Sequence, residues 1–127
     1  VSFAGVSAAR DKIAGLDPLA LAAVSVLLLT IARLAVVVAT PLNLGPDEAQ
    51  YWSWSLTPAF GYFSKPPMIA WIIGASTALC GDGEACIRAS SPLFHGATAL
   101  VLFFAGRSLY DAQVGFWSAL AYALMPG

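Results

Sequence analysis

Charge is the scarcest property of this 127-residue chain: 10% of its residues are charged, against about 25% in an ordinary soluble domain. Six Lys and Arg stand against seven Asp and Glu, for a formal net charge of -1. Hydrophobic residues reach 59% and the mean hydropathy is +0.78. So few charges cannot coat a water-facing globule, which excludes a soluble enzyme and indicates a membrane protein. Nucleic acid is excluded as a partner, because a pI of 5.6 and the lack of any Lys/Arg cluster leave nothing to neutralise phosphates. A single His and two Cys, with no phosphate-binding Gly loop, leave nothing from which to assemble a zinc site, a P-loop or a Ser-His-Asp triad. No internal repeat or low-complexity tract is present. The chain opens at Val1 and ends in an apolar run closing at Met125-Pro126-Gly127, so it is expected to be the N-terminal piece of a longer protein.

Long apolar runs are what the sequence does have. Leu19 to Val38 carries one charge, Arg33, and a helix of about 20 residues covers about 30 Å, one hydrocarbon core. A first transmembrane helix is therefore expected at 19–39, preceded by a polar segment, 1–18. Arg10 and Lys12 place that segment in the cytoplasm. The alternative, a cleaved signal peptide, calls for a shorter apolar region and a small-x-small site. Residues 40–88 form an outer loop, dense in aromatics at Tyr51, Trp52, Trp54, Phe60, Tyr62, Phe63 and Trp71. Such rings settle at the headgroup level, so the loop is expected to lie on the membrane. Gly45-Pro46-Asp47-Glu48 reads as a helix start, with Pro at the first helical position and acids in the first turn. The short helix that follows, about 46–55, puts Asp47, Tyr51 and Trp54 on one face. Residues 68–80 are apolar but too short to span, which makes them a second interfacial helix. A Gly81-Asp82-Gly83-Glu84 turn precedes a second transmembrane helix at 89–107, and a third starts at 113–127. The fold class is an all-α membrane protein. If 68–80 stays outside, Arg88 is outside and Arg107 inside; if it spans, they exchange places, and its length decides for the former.

Few side chains are available for chemistry. Asp47 and Glu48 are adjacent carboxylates just after a span, at the water–lipid boundary, where a helix N-terminus favours their ionised form. Such a pair can bind a metal or accept a proton from an attacking hydroxyl, and it also fits ordinary first-turn capping acids. Lys65 is held out of the α region by Pro66-Pro67 and can meet an anionic headgroup or phosphate, or snorkel as an anchor. Arg33 lies within the first span, where a guanidinium faces a protein interior or a wet cavity. Arg88, Ser91, His95 and Thr98 share one stripe of the second span, turned away from lipid. Standing alone, the fragment is expected to lack partners for Arg33, Arg88 and His95, and to be inactive. Cys80 and Cys86 fit either a disulfide or small buried thiols, and Asp82 and Glu84 fit turn-formers.

In order, these pieces form a pattern. A span with an Arg is followed by Pro46-Asp47-Glu48-Ala49-Gln50-Tyr51-Trp52, then Gly61-Tyr62-Phe63-Ser64-Lys65-Pro66-Pro67, then Gly81 to Arg88. Over residues 19–127 this resembles the start of the protein O-mannosyltransferase and aminoarabinose transferase group, multi-spanning type C glycosyltransferases. The resemblance implies a sugar carried on a polyprenyl phosphate and moved, with inversion, to a lipid or protein acceptor on the periplasmic or lumenal face of the cell (inner) membrane. It makes Asp47 the catalytic carboxylate with Glu48 beside it, puts Lys65, Arg88 and Arg33 on the donor phosphate, and lets Tyr51 and Tyr62 contact acceptor or donor. Aminoarabinose transferases often carry a metal-binding Glu before the Lys. Ser64 stands there in this sequence, which speaks against a metal and against the aminoarabinose transferase subgroup, so no ligand is assigned to the divalent metal that the resemblance allows as a cofactor. Competing classes are a transporter or scaffold subunit that uses its intramembrane charges for gating or packing, and a small membrane anchor.

Overall fold

The computed structural model describes residues 15–126 and is helical throughout its regular elements. The cytoplasmic placement of 1–18 therefore falls largely outside the described residues. Five helices follow in order: α1 Pro18–Ala39, α2 Pro46–Ser55, α3 Met68–Cys80, α4 Glu84–Leu109 and α5 Ala112–Leu124. Each start has a local cause. Asp17 accepts the Leu19 N–H on its side chain at 3.3 Å and the Leu21 N–H on its carbonyl at 3.0 Å, with Pro18 in the first turn, where a missing N–H costs nothing. Asp111 caps α5 through the Val114 N–H at 2.8 Å. Helix α4 begins at Glu84, ahead of the apolar run at Ala89, because the Gly83 carbonyl already accepts the Cys86 and Ile87 N–H groups.

Helices α1 and α4 are long and apolar enough to cross a membrane, at 22 and 26 residues. Their outward faces carry Leu27, Leu28, Ile31, Val36, Val101 and Phe104, all exposed, which suits lipid and not water. Helix α3, at 13 residues, falls short of a span.

The described chain divides into two units. The first comprises residues up to 33 together with 93 onward. Its core is built of small residues and a few rings: Ala22, Phe103, Phe116 and Ala119 form one cluster, and Val26, Ala99 and Ala123 a second. Small side chains let helix backbones approach closely, the usual basis of packing between membrane helices. The extreme case is Gly115, where an added Cβ would lie 2.5 Å from the Phe103 carbonyl oxygen, opposite Gly106, whose own Cβ would lie 2.9 Å from the Gly115 Cα. The polar groups expected to be stranded here have partners. Arg33 donates to the Met125 carbonyl at 2.6 Å, and His95 Nε2 lies 3.0 Å from the Tyr122 carbonyl, its ring stacked on Tyr122 at 4.5 Å. The Met125 carbonyl lies just past α5, where a helix leaves acceptors without partners, and the Tyr122 carbonyl meets His95 beside the Met125 N–H that it already accepts at 3.0 Å. The expectation that this stretch could not satisfy its own polar groups is thus corrected. Main-chain carbonyls at the end of a short helix supply partners that hydropathy alone does not reveal.

The second unit, residues 34–92, holds α2, α3 and the first turns of α4. Helix α2 packs on α3, with Gly74 of α3 against the Ser55 backbone carbonyl. Cys80 and Cys86 are joined in a disulfide across a sequence separation of 6, tying the end of α3 to the first turn of α4. The Ser76 hydroxyl donates to the Cys86 carbonyl at 2.6 Å and reinforces the same junction.

Candidate active site

Helix α2 sets the site. Gly45 is extended before the helix (φ -66°, ψ 162°), Pro46 occupies the first turn, and Asp47 and Glu48 follow. Glu48 reaches back and accepts the Gly45 N–H at 2.8 Å, satisfying a donor that the helix leaves free. Its two oxygens also receive the Arg88 fork: Nε to Oε1 at 2.8 Å and Nη2 to Oε2 at 2.7 Å. Bidentate pairing of this kind fixes geometry as well as adding energy. Arg88 then donates from Nη1 to the Leu42 carbonyl at 3.0 Å and from Nη2 to the Asn43 carbonyl at 3.1 Å. One guanidinium, on the first turns of α4, therefore joins the strand of chain leaving α1 to the start of α2. Hydrogen bonds from Arg88, helped by the Gly45 N–H and opposed by partial burial, pull the Glu48 carboxyl from its ordinary 4.5 to about 2.

Asp47 is different. It is exposed, and among the described residues its carboxylate has neither an ion pair nor a side-chain hydrogen bond. Two adjacent acids thus have different surroundings, Glu48 locked and Asp47 open.

A chain of rings continues along the same helix. Tyr51 lies 5.8 Å from Trp54, and Trp54 stacks on Tyr62 at 5.0 Å. The Tyr62 hydroxyl lies 2.9 Å from both the Trp54 and the Thr57 carbonyl oxygens and accepts the Ala59 N–H at 3.1 Å. The backbone N–H of Tyr62 donates to the Lys65 carbonyl at 3.4 Å. Tyr62 thereby fastens the Lys65 turn to the end of α2. Lys65 itself is exposed and, among the described residues, forms no salt bridge.

Of the residues expected at the site, the second unit contains Asp47, Glu48, Tyr51, Tyr62, Lys65 and Arg88. Direct bonds join Glu48 to Arg88, and Trp54 bridges Tyr51 and Tyr62. Arg33 belongs to the first unit, on the Met125 carbonyl. Three contributors were not visible in the sequence: the carbonyls of Leu42 and Asn43, and Trp71, whose Nε1 donates to the Ala59 carbonyl at 3.0 Å. Backbone acceptors leave no residue-type signal, and Trp71 reads only as one more interfacial aromatic. Ser64 supplies no carboxylate beside Lys65, and among the described residues no group of three or more His, Cys, Asp or Glu side chains converges. The donor set does not fit a divalent cation in this part of the chain.

Comparison with known proteins agrees with the resemblance read from the motifs. Across 82 residues the chain is 45% identical to the lipid A galacturonosyltransferase RgtD of Rhizobium johnstonii. The aligned segment covers 64% of this chain and 17% of that relative's length. No solved structure matches the chain. Residues 64–127 match the family model described as dolichyl-phosphate-mannose-protein mannosyltransferase, a stretch that takes in Lys65 and Arg88 and begins after Asp47 and Glu48. Half of the chain lies within that match, and the chain belongs to the dolichyl-phosphate-mannose-protein mannosyltransferase family.

Proposed function

We propose that the protein carrying this chain is an integral-membrane glycosyltransferase that moves a sugar from a polyprenyl-phosphate donor to an acceptor hydroxyl, with inversion. The observation that carries the reading is the open carboxylate of Asp47 beside a locked neighbour, Glu48. Asp47 accepts the proton of the acceptor hydroxyl as its oxygen attacks the anomeric carbon. The bond from that carbon to the phosphate oxygen breaks, and its electron pair leaves with the polyprenyl phosphate. Lys65 faces the charge that grows on the leaving phosphate. Glu48 and Arg88 position the Asp47 turn and are not consumed in the reaction; Arg33 holds α1 to the end of α5. Tyr51 and Tyr62 form one wall of the acceptor approach, with Tyr62 also holding the Lys65 turn.

The loop of residues 40–88 is assigned to the periplasmic or lumenal face of the inner membrane. The Cys80–Cys86 disulfide supports this, because such bonds persist in oxidising compartments. The name of the relative, a lipid A galacturonosyltransferase, makes a galacturonosyl donor and a glycolipid acceptor the first pair to try, and the family description makes a mannosyl donor and a protein acceptor the second.

The test is transfer by the full-length protein in proteoliposomes, supplied with both donors and both acceptor types. Product whose anomeric configuration is opposite to that of the donor is the expected result. No product from any pairing, with protein correctly inserted, would favour a transporter or scaffold subunit.

A further inference from the structure

Between Glu48 and Asp82 the chain carries one charged residue, Lys65, and no acid at all. Within that stretch lie the most exposed aromatic side chains of the described residues: Phe60 at 94% and Phe63 at 101% relative exposure. Leu56 and Met68 flank them, also exposed. Rings of this size left fully open ask for a cover.

The polar framework beneath them points to the kind of cover. The Trp54, Thr57, Ala59 and Lys65 carbonyls, which would otherwise need water, all accept hydrogen bonds from within the loop or its flanking helix. The donors are the Tyr62 hydroxyl, the Thr57 and Tyr62 N–H groups, and Trp71 Nε1. Phe60 lies edge-on to Trp71, with ring centroids 5.8 Å apart. A loop that meets these four carbonyls internally, presents an aromatic outward face and has no carboxylate to desolvate suits the headgroup boundary, where its other backbone groups still find polar partners. A water-exposed loop needs none of these features.

We propose that Phe60 and Phe63 form a wedge that inserts into the lipid leaflet beside the α2 site, with the lipid itself as the partner. The wedge sits between the end of α2 and Lys65, so the loop that carries Lys65 is held at headgroup depth, with the ammonium reaching back to the interface. This surface is independent of the transferase reading, and its test does not use activity.

The experiment places p-benzoylphenylalanine at position 60, 63 or 82 of the full-length protein in vesicles of phosphatidylethanolamine and phosphatidylglycerol. Illumination is followed by mass spectrometry of the cross-linked peptides. The replacement at 60 and 63 is aromatic for aromatic, and retention of the Cys80–Cys86 bond and unchanged size-exclusion elution identify folded protein. Lipid adducts at both 60 and 63, several-fold above those at 82, are the expected result. Adducts dominated by another segment of the same protein would show that protein covers the wedge, and adduct yields at 60 and 63 no higher than at 82 would place the loop in water. Either result overturns the proposal.

Discussion

In a Glu48→Gln variant the side chain keeps its length and its acceptor for the Gly45 N–H, while the amide nitrogen now meets the Arg88 fork. The variant therefore isolates the charge-assisted part of the strut that holds the start of α2. The fall of the Glu48 carboxyl from 4.5 to about 2 corresponds to about 3 kcal/mol at 1.36 kcal/mol per unit. The side chain of Glu48 is 39% exposed and that of Arg88 18%, so solvent screening reduces the figure to about 1–2 kcal/mol. This is a local effect, felt where Arg88 joins residues 42–48, and its readout is amide exchange of peptides covering 42–55 in the full-length protein at pH 7. A loss of that size speeds exchange through local opening by about 5–30-fold. Peptides of α5 should not change. Exchange at 42–55 within about twofold of wild type would put the pair's contribution below about 0.4 kcal/mol and refute the strut. Pairing the variant with Arg88→Met in a double-mutant cycle checks that the two residues act together.

The remaining expectations follow from the same geometry. A carboxyl whose folded pKa is depressed stabilises fully above its unfolded value, so protection of 42–55, corrected for intrinsic rates, should hold from pH 7 to 5. It should then fall as the pH drops below about 4.5 toward about 2, and Glu48→Gln should remove that fall. Maleimide should label the peptide carrying Cys80 and Cys86 only after reduction, read by mass spectrometry, and replacing both Cys80 and Cys86 by Ser should cost the α3–α4 junction about 2 kcal/mol by chain entropy, read as faster exchange over 76–88. Gly115→Ala would press a methyl against the Phe103 carbonyl, 2.5 Å away. The backbone there cannot swing aside like a side chain, so a loss of about 1–3 kcal/mol is expected, measured as a lower unfolding midpoint in detergent.

Hydropathy and punctuation carried most of the helical layout. Pro46 with its two following acids marks the start of α2, and Gly81 with Gly83 separates α3 from α4, because both signals are local and depend on backbone chemistry alone. The division of labour between Asp47 and Glu48 was not legible. Adjacent acids look alike until a partner forty residues away selects one, and Arg88 selects Glu48. The same distance effect hid the satisfaction of Arg33 and His95: their acceptors are main-chain carbonyls of Met125 and Tyr122, at positions whose side chains give no hint. Residue type left the two cysteines equally suited to a bond or to burial, and the approach of α3's last turn to α4's first decided for the bond. For Tyr62, the resemblance implied a contact with acceptor or donor and gave no sign of a second part, in which its hydroxyl is directed to the carbonyls closing α2.

The central claim is that Asp47 does chemistry that Glu48 only positions. It is tested by single-turnover sugar transfer in the full-length protein, comparing Asp47→Asn with wild type and with Glu48→Gln under saturating donor. Loss of a general base is worth about 10²–10⁴-fold, so Asp47→Asn should slow transfer by that factor with donor binding and protein level unchanged. Transfer by Glu48→Gln should fall by a smaller factor, because Glu48 positions the turn and takes no proton. Transfer by Asp47→Asn at a rate close to wild type would contradict the account and leave Asp47 a capping residue of α2.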